Sequence, residues 1–499
     1  MFTININGRI TNAESPIPLS ELLAPTHTVE MPCGGRKSCG KCKVIAVGEL
    51  SPISETELKY LSESEITKGI RLACCTTALG NCEVITALNT ESAINTDGEL
   101  PDMDLAPAFT KYGVAIDIGT TTLAARLYNV KGELLAVDSE LNPQKGFGAD
   151  VISRIEAALD GKASELAKVI REGLNGIILN LSEKAGISPT EIDGAVITGN
   201  TVMLHLLTET STEPLSHAPF KAERLFGETV TAATLSLTAL LSDTAVYLPR
   251  CAEAFVGADI TTAMLASGIT DCVAPSLLVD IGTNGEMALV RDGKILLCST
   301  AAGPAFEGAG LSMGMNGKTG AIDKVTVEDG KLSVHVLGDC EPIGICGSGV
   351  VDAVAALLET EELDETGCLD DDEAVISAPV VLTQGDIRMI QLAKSAIHAG
   401  MRTLLHYSSL DCDGISQLYV AGGFGSYLDI KNAGRIGLIP EELVSKVKVI
   451  GNAALTGAAM LLLNVGLRSV TEKTILGSEV VTLSSNPVFT EEYMERMFF

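Results

Sequence analysis

The four residues Asp-Ile-Gly-Thr occur twice in the chain, each time at the same place in the same local pattern. The first copy lies in Gly113–Tyr128, GVAIDIGTTTLAARLY, and the second in Leu277–Leu289, LLVDIGTNGEMAL. In both, an apolar run enters the four residues and an alternating or apolar run leaves them, which predicts a strand, a tight glycine turn and a returning strand. The turn carries the chemistry. Gly119 and Gly282 let backbone N–H groups approach an anion, Thr120, Thr121, Thr122 and Thr283 offer hydroxyl donors with Asn284 beside them, and Asp117 and Asp280 stand where a carboxylate can hold a hydrated Mg2+. One such turn is an ordinary glycine turn. Two in one chain predict a pair of hairpins gripping a polyphosphate from opposite sides.

The pair resembles the phosphate hairpins of the acetate and sugar kinase, Hsp70 and actin superfamily of ATPases, and further parts of that pattern follow in the superfamily's order. Leu418–Gly425, LYVAGGFG, resembles the adenosine motif, with Gly422, Gly423 and Gly425 in a turn that would lie against the nucleoside. Gly451–Ala459, GNAALTGAA, resembles the second connecting helix, whose small residues permit close helix packing at the hinge between lobes. The resemblance implies an α/β ATPase of two actin-like lobes over residues 113–499, the first about 113–245 and the second about 246–499. It implies ATP and Mg2+ in the cleft, with Asp117 and Asp280 as the catalytic pair. Gly347, Ser348 and Gly349 open a helix, where a phosphate or ribose contact and a close-packed glycine cap fit equally well. Ser299–Gly310, STAAGPAFEGAG, is a small-residue turn that could border the triphosphate. Lys394 either reaches the nucleotide or is solvated, and His205, among leucines, reads as a packed histidine.

The first hundred residues belong to something else. Of the thirteen cysteines, Cys33, Cys39 and Cys42 form C-x5-C-x2-C in the glycine-rich MPCGGRKSCGKC, and Cys74 follows in RLACCT. Zinc sites more often pair two C-x2-C knuckles, and only one is present. The spacing is similar to the plant-type ferredoxin arrangement, lengthened by one residue in the first gap, which implies a [2Fe–2S] cluster on Cys33, Cys39, Cys42 and Cys74. Cys75, adjacent to the fourth ligand, is the alternative there. The remaining cysteines show no ligand spacing. A hairpin turn at Asn7-Gly8, a short helix at Leu19–Leu23 and strands at Lys43–Val47 and Cys82–Ala87 suit a small α+β, β-grasp ferredoxin domain over residues 1–88. Arg36, Lys37, Lys41 and Lys43 make the cysteine loop basic, either to offset thiolate charge or as a docking patch for an acidic partner. Residues 89–112, rich in acids and polar side chains and without periodicity, read as a linker.

A ferredoxin module ahead of AIDIGTTT, NPQ…GADVISRI, TGNTVM, VDIGTNGE, AGPAFEG, DIR…AKSAI and AGGFGSYLDI resembles the reductive activators of corrinoid proteins over nearly the whole chain. The resemblance implies ATP-dependent one-electron reduction of Co(II) to Co(I) on a corrinoid methyl-transfer protein, with a low-potential electron donor as second partner. Members of that family commonly carry a further domain between the two parts. Residues 89–112 leave no room for it, so a homodimer, one candidate assembly, is left open. The alternatives are a small-molecule kinase, for which no general base stands out, and an ATPase that activates another low-potential enzyme. A net charge of −29, only −4 of it in the first hundred residues, argues against nucleic acid as a partner. The sequence contains no apolar run of transmembrane length and no signal peptide, which predicts a cytoplasmic protein without a membrane partner.

Overall fold

The structure is a computed structural model that describes residues 2–23, 29, 31, 33–86, 98, 100–423 and 425–499. Residues 89–97 and 99 of the expected linker lie outside these, as does Phe424 of the expected adenosine turn. Among the described residues no helix is long and apolar enough to cross a membrane.

At the N-terminus, strands Phe2–Ile6 and Arg9–Ala13 form an antiparallel hairpin whose turn is Asn7-Gly8, both at positive φ, as the residue pair predicts. The first strand pairs in parallel with Thr77–Ile85, which in turn pairs antiparallel with Lys43–Leu50, and Ile70–Leu72 closes the edge. Alternation along Thr77–Ile85 puts Ala78, Cys82 and Val84 inside, against Ile4, Leu19, Leu23 and Val44. One charged pair lies in this small core. Glu57 is fully buried, accepts from Arg71 Nε at 2.8 Å and from Thr76 Oγ1 at 3.1 Å, and caps its own helix with Ser54. Burial alone would raise its pKa, but Arg71 and the Ser54 and Leu72 N–H groups hold it down to about 2.

The rest of the chain is built around two six-stranded sheets that repeat one five-strand pattern, with a three-stranded and a two-stranded sheet beside them. In the first, Tyr112–Ile118, Thr122–Asn129 and Leu134–Leu141 form an antiparallel meander, and Ile192–Gly199 and then Ala245–Leu248 add in parallel beside Tyr112–Ile118. In the second, Ser276–Ile281, Gly285–Arg291 and Lys294–Thr300 repeat the meander, with Gln417–Ala421 and Val447–Val449 added in parallel. Ala245–Leu248 lies in the first sheet, so that lobe runs past the division expected near residue 245.

Two helices are exchanged between the lobes. Ala258–Ser267 follows the first sheet in sequence, yet Ile260, Ala263 and Met264 pack with Leu278, Ala288 and Val290 of the second. Ala453–Leu463 follows the second sheet, yet Leu455, Ala458 and Leu462 pack with Ala115, Ala124 and Val196 of the first. The two helices meet where a Cβ on Gly457 would stand 1.9 Å from the Thr262 carbonyl oxygen, so only glycine allows the approach. The outer faces are covered by Ala163–Ala185 on the first sheet and by Gly347–Glu359 and Gln384–Tyr407 on the second.

Candidate functional site

Each hairpin turn spans three residues, Gly119-Thr120-Thr121 and Gly282-Thr283-Asn284, closed by Gly119 N to Thr122 O at 2.9 Å and Gly282 N to Asn284 O at 3.1 Å. Both open into one cleft of about 440 Å3 between the sheets. That cleft gathers Asp117, Gly119, Thr120, Thr121, Thr122, Asp280, Gly282, Thr283, Asn284, Gly347, Ser348, Gly422 and Gly423. Gly349 and Gly425 do not line it. A Cβ on Gly349 would meet the Ile322 carbonyl oxygen at 2.2 Å, which is the close-packed reading of that glycine, and Gly425 is packed on Val420. Lys394 is neither at the nucleotide cleft nor solvated: it is 1% exposed and donates to the Phe498 carbonyl, and burial lowers its pKa to about 7. His205 is packed, with Nδ1 at 2.8 Å from the Thr201 carbonyl and its ring edge-on to Phe226.

The first hairpin is braced from behind by the NPQ…GADVISRI segment. Asn142 Nδ2 donates to Gly119 O at 2.8 Å, and Arg154, fully buried, donates from Nη2 to Thr120 O at 2.6 Å. Burial lowers the Arg154 pKa to about 9. From the front, Asn200 Nδ2 donates to Thr120 Oγ1 at 3.1 Å. Asn452, which caps the exchanged helix Ala453–Leu463, donates from Nδ2 to Asp117 Oδ2 at 3.2 Å.

Three acidic residues join the expected pair. Asp259, near the start of helix Ala258–Ser267, lines the cleft, as do Glu286 and Glu307. Asp280 and Glu286 are direct cross-strand partners, an arrangement in which like charges repel. Burial first, and repulsion from Asp259 second, raise Asp117 to about 7 and Asp280 to about 8, while burial raises Asp259 to about 6 and Glu286 well above the usual carboxylate range. Such a concentration of oxygen donors suits a hard divalent cation that completes its shell with water and phosphate oxygens. A complete protein cage is absent: among the described residues no three His, Cys, Asp or Glu side chains are grouped as a metal site. None of the three additional acids has a motif of its own, although each lies in a stretch with visible glycines: FVGAD, IGTNGE and GPAFEG.

The cysteines lie in two pairs. Cys42 and Cys74 have Sγ atoms 3.3 Å apart, and Cys33 and Cys39 are joined by a side-chain hydrogen bond. The contact with Cys74 holds the Cys42 thiol down to about 7 and pushes the Cys74 thiol up. Cys75 Sγ stands 3.7 Å from Cys74 Sγ. Two cysteine pairs are a donor set of the chemistry a [2Fe–2S] rhomb uses, although among the described residues no three His, Cys, Asp or Glu side chains, these cysteines included, are grouped as a metal site.

Residues 274–499 match the family described as the C-terminal domain of RACo, the ASKHA domain, and residues 112–271 match the RACo middle region. The chain is 36% identical over 419 residues to the corrinoid activation enzyme RamQ of Eubacterium limosum, covering 78% of this chain and 70% of that one. It is 27% identical over 384 residues to a [Co(II) methylated amine-specific corrinoid protein] reductase of Methanosarcina barkeri, covering 70% of each. The solved structure of a reductive activator for a corrinoid, iron-sulfur protein superposes with a TM-score of 0.75 at 27% identity, covering 100% of this chain and 98% of that one.

Proposed function

Because this chain belongs to the reductive activators of corrinoid proteins, we propose that its cleft and its cysteine loop divide the ATP-dependent reduction of Co(II) to Co(I) in a corrinoid methyl-transfer protein between them. The observation that carries this division is the meeting of both Asp-Ile-Gly-Thr turns in one cleft, with a separate pair-wise set of four cysteines upstream. We assign residues 1–88 to the electron module, 89–112 to the linker and 113–499 to the ATPase.

In the cleft, Gly119, Thr120–Thr122, Gly282, Thr283 and Asn284 hold the phosphates, and Gly347, Ser348, Gly422 and Gly423 border the nucleoside. Asp117 and Asp280 would hold a hydrated Mg2+, whose charge would favour the ionised form of carboxylates that burial first, and repulsion second, keep protonated. Asp259, between the lobes at a helix start, orients the hydrolytic water. Cys33, Cys39, Cys42 and Cys74 are the ligands of a [2Fe–2S] centre, which supplies a one-electron carrier of low potential. Reduction of Co(II) is uphill for such a carrier, and each ~59 mV of mismatch costs a factor of ten. ATP binding, by resetting the lobes about the exchanged helices, is where the chain's own residues offset that mismatch. A low-potential donor resupplies the electron.

The test is anaerobic visible spectroscopy of a Co(II) corrinoid protein with this protein, a low-potential reductant and MgATP, read at the Co(I) band. Co(I) is expected only when MgATP is present, and Asp117→Ala is expected to lose that stimulation with an unchanged cluster spectrum. Undiminished ATP stimulation in Asp117→Ala would refute the cleft assignment.

A further inference from the structure

Glu307 stands where the two hairpins meet. Thr121 of the first lobe donates its hydroxyl to Glu307 Oε2, and Thr283 of the second does so at 2.9 Å. The Thr283 N–H reaches Oε1 at 2.8 Å, and the two threonine hydroxyls are 3.2 Å apart. One carboxylate thus takes three donors of the kind a terminal phosphate requires, from both sides of the cleft at once. Glu307 itself belongs to the second lobe, so its bond to Thr121 ties the lobes together.

A second tie runs through the cysteine loop. Arg36 forms an ion pair with Glu156, on the first-lobe helix Val151–Ala157, and a Cβ on Gly34 would stand 2.7 Å from the Phe147 carbonyl oxygen. Lys41 Nζ donates to Leu311 O at 2.7 Å and to Ser312 O at 3.1 Å in the second lobe. Ser312 is fastened by its N–H to Asp386 Oδ1 at 2.7 Å, at the start of the long helix Gln384–Tyr407. The clasp therefore grips both lobes, at Leu311, four residues beyond Glu307, on one side and at Phe147 and Glu156 on the other. Its two ends lie on different lobes, so a change in their relative setting would strain it.

We propose that the cysteine module reads the nucleotide state of the cleft: the Glu307 carboxylate occupies the seat of ATP's terminal phosphate, and its displacement resets the lobes and breaks the clasp of residues 34–41. The module is then free to turn its cysteine loop towards a corrinoid protein. This rests on the reading of the cleft as an ATP site. It requires that a triphosphate and a diphosphate act differently, since only the former competes with Glu307.

The experiment uses the full chain with its cluster, MgAMP-PNP and MgADP, with calorimetry for binding and hydrogen exchange for residues 33–43. In the wild type, AMP-PNP should speed exchange in 33–43 severalfold and ADP should leave it unchanged. Glu307→Gln, which removes the competing charge, should bind AMP-PNP about tenfold more tightly with ADP affinity unaltered. Lys41→Ala should show the fast exchange without nucleotide, and it tests the clasp even where Glu307→Gln fails to fold. AMP-PNP binding with unchanged exchange in 33–43, or weaker AMP-PNP binding by Glu307→Gln, overturns this inference alone. Absence of binding by either nucleotide overturns it together with the ATP reading.

Discussion

Asp117, Asp259 and Asp280 retain their protons up to about 7, 6 and 8, because burial disfavours all three charged forms and repulsion from neighbouring acids adds to this at Asp117 and Asp280. In the unfolded chain the same groups titrate near 3.8. Between those values the folded protein binds more protons than the unfolded one, so this contribution to stability is complete below about pH 4 and is lost as the pH climbs through 6, 7 and 8. A melting series on nucleotide-free, chelator-treated protein should show the transition temperature falling over that window, and Mg2+ should flatten the fall by pairing with the ionised groups. A transition temperature that climbs from pH 6 to pH 8 without the cation would contradict the charge arrangement. Asp117 and Asp280 were legible because they stand in a repeat. Asp259, Glu286 and Glu307 were not, because a carboxylate gains its significance from what faces it, and their neighbours in the cleft come from distant segments.

At the scale of elements, the exchange of helices Ala258–Ser267 and Ala453–Leu463 places the hinge at a single crossing. The small residues of GNAALTGAA announce close packing, and the structure supplies the partner, Thr262, whose hydroxyl also lies 3.2 Å from that of Thr198. Gly457→Ala should drive these helices apart, destabilise the protein by about 1–3 kcal/mol and reduce ATP-stimulated cobalt reduction more than nucleotide affinity. Gly176→Ala is the control: on helix Ala163–Ala185 a Cβ there meets nothing within 4 Å, and the change should be neutral or add about 0.4–1 kcal/mol. Chemical denaturation and single-turnover assays of the two variants separate the effects. Equal behaviour of the two would remove the hinge from this crossing.

For the whole molecule, the proposed function requires one cluster per chain beside one ATPase. Protein purified without oxygen should contain about two irons and two acid-labile sulfides per chain, and Cys42→Ser should lose both while keeping nucleotide affinity. Zinc in place of iron would overturn the cluster assignment. The duplicated turn, the glycine motifs, the cysteine spacing and the Asn7-Gly8 hairpin were all readable in the sequence, because each is a short-range pattern whose backbone geometry or ligand chemistry is set by residues within a few positions. They determined the two-lobed α/β class, the β-grasp module and most of the residues that meet in the cleft. Only the tertiary structure decided the rest: which glycines face the cleft and which pack, that Lys394 is buried against the C-terminal segment, that Glu307 joins the hairpins, and that the cysteine loop clasps both lobes. Those relations depend on distances in space between segments that sequence periodicity does not relate, from 27 residues apart for Gly349 and Ile322 to 186 for Thr121 and Glu307 and 270 for Lys41 and Leu311.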